Sequence, residues 1–167
     1  MKYPLLLLPF LPIALMAACG VDEGRVNAET APSGDQFRPV AQVLQDRCAS
    51  LDCHGSKYRN MRLTGFGGAR IDVNDRPDAP ETTSAEVDQD YQAVVALEPD
   101  IMRQVIAEGG RDPERLTFFR KGQRKEAHKG GQRIVPGDQA DVCVRSWLAS
   151  NVDTAACKAA VPRLATP

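Results

Sequence analysis

The stretch Arg47-Cys48-Ala49-Ser50-Leu51-Asp52-Cys53-His54-Gly55-Ser56 brings together two of the chain's five cysteines and one of its two histidines. Two thiols followed directly by an imidazole can serve three ends. They can attach a haem covalently, with the imidazole on the iron, as in Cys-x-x-Cys-His. They can join His128 in a Cys₂His₂ zinc site. Or Cys48 and Cys53 can close a small disulfide loop in an oxidising compartment, leaving His54 as a surface residue. Adjacent Cys53 and His54 would chelate one zinc ion awkwardly. Haem attachment normally has two residues between the cysteines, and here there are four, Ala49 to Asp52. The peptide between the thiols can bulge outward without moving either anchor. The adjacency of the second cysteine and the histidine cannot slip, and Cys53-His54 keeps it. Gly55 then lets the backbone turn close to the edge of a bound ring.

Working outward, Val40, Val43, Leu44 and Cys48 fall on one face of a helix, which delivers the first thiol from its last turn. A second helix is predicted from Ser84 to Leu97, with Val87, Tyr91, Val94, Val95 and Leu97 as its apolar set. A third runs from Pro99 to Glu108 around Ile101, Met102, Val105 and Ile106, started by Pro99 and stopped by Gly109-Gly110. A last helix covers Gln139 to Ala149, with Val142, Cys143, Ser146 and Trp147 on one stripe. Between these lie irregular segments rich in glycine and proline, Lys57 to Ser84, and a basic glycine-bearing loop, Arg120 to Asp138. No strand alternation persists. The expected fold is therefore mostly α, with loops long enough to need a functional reason such as wrapping a cofactor.

The chain has 167 residues, a net charge of −1 and 5% aromatic residues. That is one domain's worth of sequence, with no basic face for nucleic acid. At the N-terminus, Lys2 precedes an apolar run from Pro4 to Ala18 that is short for a membrane span and reads as an export signal. Leu15-Met16-Ala17-Ala18-Cys19 resembles a bacterial lipobox, which implies lipidation of Cys19. The other reading is an ordinary secretory signal that leaves Cys19 as a spare thiol. Residues 19–36 are polar and aperiodic and read as a flexible tether. The expected division is a signal peptide at 1–18, a tether at 19–36, a domain at 37–157 and a tail at 158–167. Cys143 and Cys157, an even pair in an exported chain, are expected to form a disulfide that staples the segment after the last helix back onto it.

The order of motifs resembles that of cytochrome c-like domain lipoproteins of the planctomycete and myxobacterial type. The resemblance rests on VLQDRCASLDCHG (Val43 to Gly55), NMRLTG (Asn60 to Gly65), DYQAVVALEPDIMRQVI (Asp90 to Ile106) and HKGGQRIVPGDQADVCVRSWL (His128 to Leu148). It implies a small helical domain whose long loops wrap a haem c, with Cys48 and Cys53 as thioether anchors, His54 as proximal ligand and His128 as distal ligand. Met61 and Met102 are the rivals for the distal position, although both read as core fillers. Tyr58, Phe66 and Trp147 are expected near the porphyrin. The implied function is single-electron transfer in the cell envelope, by a periplasm-facing lipoprotein that is not an enzyme and is anchored in the outer membrane. The cations Arg120, Lys121, Arg124, Lys125, Lys129 and Arg133 are available to steer an acidic redox partner, or simply form a solvated loop. Two other functions remain open. One is a non-catalytic interaction module stapled by Cys48–Cys53 and Cys143–Cys157. The other is a five-coordinate haem acting on peroxide, with His128 unligated.

Overall fold

The computed structural model describes residues 31–76 and 81–161. Six α-helices make up the framework: α1 Arg38–Cys48, α2 Ser84–Val95, α3 Pro99–Ala107, α4 Thr117–Gly122, α5 Gln139–Leu148 and α6 Thr154–Ala160. Single 3₁₀ turns lie at Gly34–Gln36 and Pro113–Arg115. No strand occurs among the described residues, where one isolated bridge joins Thr64 to Ala69. The mostly α expectation holds. No helix among the described residues is long and apolar enough to cross a membrane.

Three of the predicted helices match to within two residues at either end, and the hydrophobic period explains why. On α1, Val40, Val43 and Leu44 are buried, and the helix ends on Cys48 itself. α3 begins at Pro99 and closes where Gly109 and Gly110, both at positive φ, return N–H groups to the carbonyls of Ile106 and Val105. This is the left-handed helix terminator that glycine favours. α4 was not expected and overlaps the start of the segment read as loop, and it ends in the same way without glycine at the left-handed position. Arg124, at φ 58°, donates to the carbonyl of Lys121, and Lys125 donates to that of Arg120. α6 was also not expected; Asp153 caps it by accepting from the N–H of Ala156.

The core forms where α1 packs against α5 and α6, around the fully buried Phe37 and Trp147, whose ring centres are 4.9 Å apart. The expected Cys143–Cys157 disulfide is present and ties α6 to α5. Closing a loop of 14 residues stabilises the fold by roughly 3 kcal/mol in the chain-entropy picture. Cys143→Ala/Cys157→Ala is therefore expected to lower unfolding free energy by about that amount in urea titrations. The packed region extends beyond the expected 37–157. Ala31 and Pro32 are buried, and the carbonyl of Pro32 accepts the Tyr91 hydroxyl at 2.8 Å, so the end of the expected tether is part of the domain. At the other end Ala160 and Val161 are buried, and the Ala160 carbonyl accepts from Arg47. The proposed signal peptide, Cys19, and most of the tether and tail lie outside the described residues.

The long connection from α1 to α2 is held by buried polar groups. Asp90, fully buried on α2, accepts from Gln45 Nε2 at 2.8 Å, from the Thr64 main chain at 2.6 Å and from the Thr64 hydroxyl at 3.0 Å. Desolvation outweighs these three bonds and pushes its pKa from 3.8 to about 6. The native state thus keeps this proton over a range in which the unfolded chain releases it. Its contribution to stability falls as pH rises between those two values, by an order of 3 kcal/mol in total. Asp90→Asn should flatten that part of the stability–pH curve, measured by urea unfolding at intervals from pH 4 to about 6.5.

Candidate functional site

The cysteine loop is closed by its own backbone. The N–H of His54 donates to the carbonyl of Cys48 at 3.0 Å, and those of Cys53 and Gly55 donate to the carbonyl of Ser50 at 2.8 and 3.1 Å. Leu51 and Asp52 are exposed, with Leu51 outside the cavity that Cys48, Asp52, Cys53 and His54 line, so the longer loop bulges at the surface above its anchors. Gly55 is required for a reason other than the expected one. A Cβ there would collide with the Ala49 carbonyl, and so would a Cβ at Gly68, so the two glycines clasp the first turn of the loop.

The cavity has a volume of about 630 Å³, within the usual range for bound organic ligands. His54 and His128 both line it, with ring centres 6.2 Å apart and planes 32° from parallel. Each ring is fixed through its Nδ1, that of His54 to the carbonyl of Met61 at 2.8 Å and that of His128 to the carbonyl of Gly131 at 2.9 Å. A carbonyl can only accept, so both Nδ1 atoms carry the proton and each Nε2 keeps its lone pair. Burial depresses the pKa of His54, the Met61 carbonyl opposes this, and the neighbouring His128 adds to the depression. The neutral, ligating form is therefore favoured. His128 owes its position to two glycines. Gly131 turns the chain at φ 72°, and at Gly130 a Cβ would stand 2.9 Å from His128 Cε1.

Two metal–imidazole bonds of about 2.0–2.1 Å, with about 1.1 Å from each nitrogen to its ring centre, span about 6.2–6.4 Å. The observed separation of the ring centres, 6.2 Å, has this length. Among the described residues no group of three or more His, Cys, Asp or Glu is arranged to hold a metal ion. The Cys₂His₂ zinc set is therefore not assembled. Cys48 and Cys53 are both free thiols, so the second disulfide of the stapled-module reading is not formed. Burial pushes the Cys48 thiol up to about 12 against the opposing pull of Arg133 and Arg47.

The methionine rivals separate. Met102 is fully buried on α3 and lines no part of the cavity. Met61 does line it, but its carbonyl is the group that orients His54. The expected aromatic surround is largely different from the observed one. Tyr58 stands at the mouth, 83% exposed, whereas Phe66 and Trp147 are not among the lining residues. The apolar wall is Leu44, Met61, Leu97, Phe118 and Ile134. Leu44 was within reach of sequence reasoning, since it precedes Cys48 by one helical turn; Phe118, in a six-residue helix without a period, was not.

The basic loop is partly self-neutralised. Arg120 and Lys121 pair with Glu126 at 2.8 and 3.4 Å, and Lys125 pairs with Glu114 at 3.0 Å. Lys129 and Arg133 form no ion pair among the described residues and line the cavity. No protein family model, curated protein or solved structure matches this chain.

Proposed function

We propose that this chain is an exported, lipid-anchored c-type cytochrome that carries single electrons through a covalently attached haem. The observation that supports this best is the imidazole pair. His54 and His128 stand 6.2 Å apart, each with Nδ1 committed to a main-chain carbonyl, beside two free thiols in one apolar-walled cavity. In this reading Cys48 and Cys53 would hold the macrocycle by thioether links, and His54 and His128 would bind its iron. A haem so held would supply a one-electron couple.

The chain's own residues do the rest. The carbonyls of Met61 and Gly131 keep both rings in the tautomer that ligates, and they strengthen each Nε2 as a donor. The walls of Leu44, Phe118 and Ile134 exclude water. Two imidazoles leave no open position for oxygen chemistry and give a lower potential than a His/Met pair would. The cytochrome c-like family, the attachment through Cys19 and the envelope location belong to the same proposal.

The test is to mature the full chain, signal included, in a host that attaches haem covalently. Haem that stays with the polypeptide on a denaturing gel, and a low-spin Soret spectrum, are expected. A colourless protein from that host would end the reading and favour a non-catalytic interaction module without haem. Cys19→Ser should release the same coloured protein from the membrane fraction.

A further inference from the structure

We propose that the mouth of the cavity is a docking face for an acidic protein surface. The argument begins with which cations remain available. Of the six cations on the closing loop, Arg120, Lys121 and Lys125 are held by Glu126 and Glu114. Lys129 and Arg133 are exposed and stand at the cavity. On the cysteine-loop segment Arg59 lines the same cavity, and Lys57 stands beside it over the Tyr58 ring, both exposed. Asp52 is the single carboxylate among the residues that line this cavity. A chain whose net charge is −1 thus concentrates positive charge at one opening.

The face is not purely charged. Tyr58, 83% exposed, stands among these cations with the Lys57 ammonium 5.2 Å from its ring centre, and Leu51, 55% exposed, sits at the tip of the bulge. An exposed aromatic within a basic rim is the composition of a protein interface. A lipid surface would ask for a contiguous apolar patch, and this opening is concave. The four cations lie on two segments that meet at the same mouth, so a partner that neutralises them must span the opening and come close to whatever the cavity holds. If the cavity holds a haem, the partner is an electron donor or acceptor; that part rests on the cytochrome reading, whereas the face itself rests on charge and exposure. Rim charges of this kind act mainly on association rate and salt dependence.

The test uses the mature full chain and, as probe, a fluorescently labelled acidic plant-type ferredoxin, with association followed by anisotropy. Binding should strengthen as ionic strength falls. Arg59→Glu/Lys129→Glu should slow association by about tenfold or more at low salt. Lys158→Glu, the same type of charge change on α6 away from the cavity, should have less than about a twofold effect. Equal effects of the rim and α6 variants, or association indifferent to salt, would overturn the docking face. So would rim-dependent retention on phosphatidylglycerol vesicles without rim-dependent ferredoxin binding, which would assign the face to a membrane. The Soret band of the same samples keeps the two readings apart. Rim-dependent binding by a colourless protein would support the face and remove the electron-carrier reading.

Discussion

On the proposed cytochrome reading, replacing His128 by alanine is expected to leave haem covalently attached while converting the spectrum from low-spin to high-spin. The proposed attachment residues, Cys48, Cys53 and His54, sit on a loop closed by its own hydrogen bonds, and none of these bonds involves the segment that carries His128. The His128 ring is held by Gly131 alone among its hydrogen-bond partners, so its loss should remove one axial nitrogen and little else. Added imidazole, which can enter the vacated space, should restore the low-spin spectrum. His54→Ala should differ in kind, because it removes the residue beside the second thiol and should abolish both stable attachment and the Soret band. An unchanged low-spin spectrum in His128→Ala would assign the sixth position elsewhere, with Met61 the methionine that lines the cavity. A high-spin variant with new peroxide reactivity would show that His128 is what closes the iron to substrate.

The second large effect concerns stability. Glu86 is 1% exposed and accepts from Arg70 at 2.8 and 3.1 Å, from the main chain of Thr83 at 2.8 Å and from that of Ile71 at 3.2 Å. Burial alone would raise its pKa, but the Arg70 guanidinium and these N–H groups hold it below the usual carboxylate range. Arg70→Leu would leave a buried carboxylate without its cation, and should cost about 3–5 kcal/mol, lowering Tm by about 10 °C or more. Arg70→Leu/Glu86→Leu should recover much of that loss, because the pair's mutual attraction only offsets its desolvation. Calorimetry on the single and double variants checks both statements; an additive double variant would defeat the argument. The stabilisation from Glu86 is present above the ordinary carboxylate range and is lost as pH falls through its depressed pKa. This is the opposite sense to Asp90, so the two groups can be told apart by the side of the pH curve on which each acts.

These two pairs also show where sequence reading stops. The helical period exposed α1, α2, α3 and α5 because each buries an apolar stripe, and it placed Cys48 at the end of α1. Glu86 and Asp90 interrupt such a stripe and read as a solvated face; only partners more than fifteen residues away, Arg70 and Gln45, make their burial tolerable. Thr83 and Glu86 do form a capping-box signature, which is legible, but the signature does not announce that its glutamate is buried. α4 escaped because Arg124 occupies a left-handed position that glycine usually marks. At the site, the residue types around the cysteine loop pointed to Cys48, Cys53 and His54. The approach of His128 to His54 depended on the turn at Gly130-Gly131 and on the closing segment folding back onto α4, where Arg133 and Ile134 both donate to the carbonyl of Gly122. Spacing along the chain carries no trace of that return.

The bond from His54 N–H to the Cys48 carbonyl has a consequence for the loop it closes. It fixes the end-to-end vector between the first thiol and the imidazole, so the number of residues in between becomes almost a free variable. Loop-closure entropy grows only with the logarithm of length, and two extra residues cost a few tenths of a kcal/mol. Lengthening the apex at Leu51-Asp52 should therefore be nearly invisible to the anchors beneath it. What defines this loop is a closure condition rather than a residue count, and chains that satisfy the condition with other apex lengths would present the same pair of thiols and the same ring.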